Sequence, residues 1–220
     1  RGLVVVPLHP GYQREELAHV VADSGVGVVD VDGDAPVVAG SVVVVGAAAL
    51  AAADEDAAGD DAGADAAGDD DVALLIYTSG TTGKSKGCVH TVRSLTAGLV
   101  PLMDLWGIGA ADVVVNALPL FHVHGLCVAL LGPLLRGARV RLVPQFSPEH
   151  VVDAVAAGGT VFMSVPTMVH RLMGHLEARP ADAATLGRLR LMTCGSAALS
   201  AEQLVRFREK TGITLLERYG

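Results

Sequence analysis

VALLIYTSGTTGKSKG, residues 72–87, joins an apolar strand pattern to a loop of glycine, threonine, serine and lysine. Residues 72–78 predict a strand, and the loop runs on to Gly87. Within residues 77–87, Gly80, Gly83 and Gly87 let backbone amides turn toward an anion, the hydroxyls add donors, and Lys84 and Lys86 supply charge. That is what binding a polyphosphate requires. The GKS ending at residues 83–85 invites comparison with a Walker A loop. The Walker pattern needs a glycine five places before its second one, where this chain has Thr78, so that reading is rejected.

Outward from the loop, strand and helix signals alternate regularly. Thr91 caps a helix to about residue 106, with Leu95, Leu99, Leu102 and Trp106 on one stripe. Strands are predicted over 113–117, 139–143, 161–164, 189–193 and 213–218. Helices are predicted over about 125–135, to about 157 behind Ser147, over 166–178 opened by Pro166, and to 210 behind a Ser200/Gln203 capping box. On the other side, residues 3–8, 26–31 and 42–45 read as valine-rich strands and 13–22 as a helix. Continuous valine runs suit strands covered on both faces. The fold class is therefore α/β, mostly parallel sheets with helices on both faces. In such sheets ligands bind beyond the carboxyl ends of the strands.

The 220 residues, 51% hydrophobic, suffice to bury a core. Mean hydropathy is +0.47, yet no apolar run reaches the roughly 18–20 residues that span a bilayer. The formal charge of −8 is uneven: residues 47–71 hold nine acidic and no basic residues, and the other 15 acidic against 16 basic residues leave +1. That tract of Ala, Asp and Gly with one Glu and one Leu has almost no large side chain to bury and predicts a disordered insert. It divides a first βαβ part, 1–46, from a core, 72–220. The acidic balance excludes a general nucleic-acid binder. Cys88, Cys127 and Cys194 are odd in number and lack CxxC spacing. They predict free thiols in a reducing compartment, cytoplasm or mitochondrial matrix. The chain opens on Arg1 without a signal-peptide pattern, and is expected to be a piece of a longer protein.

Residues 77–87 resemble the signature of the adenylate-forming superfamily of acyl-CoA synthetases, luciferases and adenylation domains, written close to YTSGTTGxPKG or TTSGTTGxPKG. The chain departs from it at Ser85, where the family has proline. The resemblance implies that Thr78, Ser79, Gly80, Thr81, Thr82, Gly83 and Lys86 face the phosphates of ATP, with Thr82 and Lys86 also catalytic. ALPLFHVHGL, residues 117–126, resembles the family's acyl-pocket motif. His122 matches its common histidine, with a catalytic role implied, and His124 stands beside it. SVPTMVHRL, residues 164–172, resembles the segment before the adenine site. CGSAALS, residues 194–200, resembles the adenine-binding loop, which would lay Gly195, Ser196, Ala197 and Ala198 along the purine. LLERYG, residues 215–220, resembles the opening of a YGxTE motif. It adds Glu217, Tyr219 and Gly220 to the nucleotide set, with Tyr219 packing on adenine. The resemblance implies that the family's Mg²⁺-holding glutamate would follow Gly220, and the family's C-terminal lid domain is expected to be absent from these 220 residues. The histidine pair at 122 and 124 lacks a third ligand at metal-binding spacing, so no protein metal site is expected.

FHVHG, GSAAL and LLERYG together are most similar to the malonyl-CoA synthetase branch of that family. Arg218 precedes the YG, where relatives with neutral acyl substrates carry a small or polar residue. It is expected to grip a second carboxylate, with His122 or His124 assisting; the other reading is a surface arginine paired with Glu217. The implied activity joins a carboxylic acid, malonate or methylmalonate, to coenzyme A through an acyl-AMP, with ATP and Mg²⁺. A medium-chain or aryl acyl-CoA synthetase and an inactive truncated nucleotide-binding homologue are the alternatives.

Overall fold

The computed structural model describes residues 4–24, 68–78 and 84–219. The strands expected at 26–31 and 42–45, the acidic tract up to residue 67, loop positions 79–83 and Gly220 lie outside the described residues. Two compact units meet between Ala97 and Gly98, and each is taken by itself.

In the first unit, helix α1 (Arg14–Ser24) forms where the sequence places one. Its Leu17, Val20 and Val21 are buried, a spacing of three and four that puts them on one face. The Glu16 carboxylate accepts from the Gln13 amide at 2.8 Å, satisfying a donor that the helix start leaves open. Val20 and Val21 pack with Val6 and Tyr77. Strand β1 (Val72–Thr78) matches its expected bounds. The strand expected at 3–8 shrinks to one parallel bridge from Val5 to Leu74, since Pro7 has no amide to continue a ladder. Strand β2 (Lys86–Thr91) corrects the reading of a loop leading directly to a helix. It pairs antiparallel with β1, with Thr78 opposite Lys86 and Tyr77 opposite Gly87. No residue of KGCVHT is buried and half are exposed, so the apolar alternation that marks a strand is missing. The glycine-rich loop therefore closes a hairpin. Ahead of it, Asp69 and Asp70 pair with Arg93 and the Asp71 carboxylate accepts from the Gly68 amide at 2.7 Å.

Helix α2 (Val92–Leu105) carries the chain across the boundary between the units. Thr91 and Ser94 exchange bonds at its start, 3.1 Å to the Thr91 hydroxyl and 2.9 Å to that of Ser94, closing both open amides. The second unit is a five-stranded parallel sheet made of β3 (Val113–Asn116), β4 (Arg139–Leu142), β5 (Val161–Ser164), β6 (Leu191–Gly195) and β7 (Leu216–Arg218). Its order is β4-β3-β5-β6-β7. Every residue of β3 and β5 is buried, as continuous valine-rich strands require when both faces are covered. The edge strands β4 and β7 are largely exposed.

The covering helices are α3 (Gly132–Leu135), α4 (Pro148–Ala156), α5 (Pro166–Ala178), α6 (Asp182–Leu186) and α7 (Ala201–Thr211). Ser147 caps α4, and Ser200 with Gln203 forms the expected capping box on α7. Three readings are corrected. The helix expected from residue 125 begins as a π-helix, His124–Leu131. Helix α6 was not anticipated, because DAATL has no apolar period of its own. Strand β6 starts two residues later than its apolar run, since Leu189 closes a turn on Leu186. Arg190 there is spent on Asp112, donating from Nε at 2.7 Å.

Candidate functional site

The first unit contributes the base of the glycine-rich loop. Thr78 ends β1 and Lys86 starts β2, cross-strand neighbours with the Thr78 hydroxyl 3.4 Å from the Lys86 carbonyl oxygen. Both residues are exposed, as is Lys84. Of the residues implied to meet the phosphates, Thr78 and Lys86 are thus brought together, while Ser79, Gly80, Thr81, Thr82 and Gly83 lie outside the described residues.

The second unit gathers its chemistry at the carboxyl ends of β3, β6 and β7, where a parallel sheet opens. Asn116 ends β3 buried, its side chain donating to the Gly125 carbonyl at 3.0 Å and accepting from the Leu118 amide at 3.0 Å. These bonds pin the turn that carries both histidines. Gly125 is obligatory there, because a Cβ would collide with the Pro119 carbonyl oxygen. His122 is exposed, its ring 4.4 Å from that of Phe121. His124, two residues on, is 5% exposed and points inward.

His124 meets β6 and β7 at one place. Its Nδ1 lies 3.4 Å from the Ser196 hydroxyl. Its Nε2 has no hydrogen-bond partner among the described residues, nor has the buried Nε of Arg218. Both side chains converge on Gly195: a Cβ there would stand 3.3 Å from Arg218 Nε and 3.4 Å from His124 Cε1. Burial, and then the charge of Arg218, push the His124 imidazolium down to about 4. The ring is therefore neutral near pH 7, and with the Ser196 hydroxyl assigned as donor to Nδ1, Nε2 carries the hydrogen. Burial also lowers the pKa of Arg218. With that assignment, two N–H donors, one on a cation, lie buried and unpartnered among the described residues, on side chains that both pack against Gly195. An unmade hydrogen bond in such a place costs about 1–3 kcal/mol, and a carboxylate supplies both acceptors at once.

The residues implied to line the purine form a connected turn. Gly195 is buried and ends β6, Ser196 takes the left-handed backbone (φ 71°), and Ser196, Ala197 and Ala198 are exposed. The Glu217 carboxylate accepts from the Leu199 amide at 3.1 Å, tying β7 to this turn. Its role here is to hold the loop rather than to pair with Arg218. Tyr219 is fully exposed. Thr193 is a site-facing residue that the sequence reading missed. It lies two residues before Gly195 on the same face of β6, fully buried, with its hydroxyl unpartnered among the described residues. Its position inside an apolar strand gave no motif to find it by. Among the described residues no group of three His, Cys, Asp or Glu side chains could hold a metal ion, and no helix is long and apolar enough to cross a membrane.

A family model described as AMP-binding enzyme matches residues 1–220. The chain is 41% identical over 160 residues to a mitochondrial malonate–CoA ligase of Mus musculus, covering 67% of this chain and 27% of that protein. It is 35% identical over 225 residues to a feruloyl-CoA synthase of Amycolatopsis sp, covering 100% of this chain and 44% of that one. The structure of a malonyl-CoA ligase ternary product complex with methylmalonyl-CoA and AMP bound is 40% identical, with a TM-score of 0.84 over 100% of this chain and 46% of that one. The chain thus spans less than half the length of each.

Proposed function

The chain belongs to the AMP-binding enzyme family, and on that premise we propose that it is the nucleotide- and acid-binding core of an AMP-forming acyl-CoA ligase acting on a small dicarboxylic acid, malonate or methylmalonate. One observation carries the choice of acid: His124 Nε2 and Arg218 Nε are buried and unpartnered among the described residues, on side chains that converge on Gly195, and with Nε2 assigned the hydrogen both are donors. A distal carboxylate accepts from both, and a neutral acyl chain would leave both unmet. The mouse relative and the methylmalonyl-CoA complex support the same reading.

The reaction runs in two displacements. A carboxylate oxygen of the acid attacks the α-phosphorus of ATP, and the bond to the bridging oxygen breaks to give acyl-AMP and pyrophosphate. The coenzyme A thiolate then attacks the acyl carbonyl and AMP leaves. Neither step needs an acid–base group of unusual strength from this chain. The first depends on position and charge neutralisation, to which Lys86 and the hydroxyl and amide donors around it contribute on the phosphate side. Arg218 and His124 hold the distal carboxylate, and so orient the reacting one. Magnesium enters as part of the ATP substrate. Exposed Cys88 and buried Cys127 and Cys194 are free thiols, in keeping with a reducing compartment, cytoplasm or mitochondrial matrix.

The test is acid-dependent pyrophosphate release by the complete protein with malonate, methylmalonate, acetate, octanoate and benzoate, repeated with Arg218→Ala. The expected result is release with the two dicarboxylates, lost in the variant. Wild-type malonate activity in Arg218→Ala refutes the dicarboxylate pocket, and release with benzoate or octanoate alone favours the aryl or medium-chain reading.

A further inference from the structure

Helix α1 carries two polar side chains one turn apart, His19 and Asp23, which the chemistry above leaves unused. Both reach the base of the hairpin that bears the phosphate loop. His19 Nε2 lies 2.8 Å from the carbonyl oxygen of Ser85, and since a carbonyl only accepts, the ring nitrogen donates. The Tyr77 hydroxyl donates to the Asp23 carboxylate at 2.8 Å. The His19 and Tyr77 rings meet edge to face, centroids 6.4 Å apart at 83°. Burial, then the Asp23 carboxylate, push the Tyr77 phenol up to about 12, so it keeps the proton it donates.

Tyr77 immediately precedes Thr78 at the end of β1, and Ser85 immediately precedes Lys86 at the start of β2. One helix face therefore grips both shoulders of the loop, one through a side chain and the other through the backbone. Gly87 leaves the passage open: a Cβ there would meet Tyr77 Cζ at 3.1 Å and its hydroxyl oxygen at 3.3 Å. Ser85 also stands where the resembled signature has proline. A proline would fix that torsion near −65° by itself. Serine leaves it free, and His19 holds the carbonyl from outside.

We propose that His19 and Asp23 are positioning residues for the nucleotide: by fixing Ser85 and Tyr77 they set where Lys86 and Thr78 meet a triphosphate. The inference rests on the ATP-binding reading of the loop.

The complete protein is compared with its His19→Ala, His19→Gln and Tyr77→Phe variants. Glutamine keeps an N–H donor at about the reach of Nε2, and phenylalanine keeps the ring while removing the hydroxyl, with its bond to Asp23 at 2.8 Å and its longer one to the Val20 carbonyl at 3.5 Å. Losing one such bond should weaken ATP binding in equilibrium dialysis, and raise KM for ATP, by roughly 2–10-fold in His19→Ala. KM for the acid should stay unchanged. Tyr77→Phe should move in the same direction, and His19→Gln should restore most of the loss. Amide hydrogen exchange across residues 77–91 should quicken in His19→Ala and not in His19→Gln. Unchanged ATP affinity in both His19→Ala and Tyr77→Phe overturns the inference, as does a folded His19→Gln no better than alanine. Absence of ATP binding by the unmodified protein overturns the ATP reading itself and this inference with it, so the two failures are distinguished by the unmodified protein alone.

Discussion

Arg218 Nε closes over the bare α-carbon of Gly195, where a Cβ would stand only 3.3 Å from that nitrogen. Strands β6 and β7 pair in parallel with Gly195 opposite Arg218, so the sheet register itself delivers the guanidinium to the loop. The glycine leaves room for the arginine to lie inward beside His124.

Gly195→Ala should therefore move Arg218 or His124 by a few tenths of an ångström. If the pair holds the distal carboxylate as proposed, a shift on that scale misorients the reacting carboxylate and is expected to lower kcat/KM for malonate by about tenfold. Steady-state kinetics with malonate and acetate check it. A fall shared equally by both acids would point to the nucleotide side of the loop instead.

His124 should make the protein sensitive to mild acid. Its folded pKa is about 4, against about 6.5 when unfolded. Between those values the unfolded chain binds a proton that the folded one does not. The stabilisation is complete above about pH 6.5 and is lost progressively as pH falls toward 4, on the order of 2–3 kcal/mol in all. Urea denaturation at pH 7.5 and pH 5 should show a smaller acid loss in His124→Gln than in the unmodified protein.

Asp112 predicts stability without specificity. It is 4% exposed and accepts from Arg190, from the Thr160 hydroxyl at 2.8 Å and from the Gly109 amide at 3.1 Å. The Arg190 bonds lead in holding its carboxyl down at about 2. That contribution is present above the ordinary carboxylate pKa and is lost as pH falls from about 4 to about 2. Arg190 keeps 40% of its side chain in water, which tempers the cost of Asp112→Ala to about 2 kcal/mol. Thermal unfolding should register this, and the ratio of malonate to acetate activity at low temperature should not change.

Gly125→Ala should be worse than any conservative change nearby. The new methyl would collide with the Pro119 carbonyl oxygen and come 2.8 Å from its carbon, and backbone cannot swing aside as a side chain can. The expected outcome is a loss of about 2–3 kcal/mol together with acid activation. Gly174→Ala is the control, because a Cβ at that position of α5 has nothing within 4 Å, and helix propensity favours alanine there by about 1 kcal/mol. Denaturant midpoints of the two variants should move in opposite directions.

Much of the fold was legible because its signals are local. The Ser147 cap, the Ser200/Gln203 box and the proline opening α5 each lie within a few residues of the element they start. The hydrophobic strands β1, β3 and β5 announce burial by composition. Strand β2 was illegible for the opposite reason: none of its residues is buried, and only pairing with β1 makes it a strand. The π-helix at His124 arises where backbone packs against Pro119, a contact with no signature in the periodicity.

The sequence by itself determined a parallel α/β fold and a loop rich in glycines, hydroxyls and lysines, the proposed anion site, because backbone freedom, capping and apolar period are properties of neighbouring residues. The tertiary structure alone decided that His124 is buried and neutral while His122 is exposed, and that Arg218 turns inward over Gly195 while Glu217 is spent on the Leu199 amide. It alone set α1 against the loop's two shoulders through His19 and Asp23. Burial and charge proximity depend on which distant segments meet, and those are fixed only when the sheet register and the helix packing are.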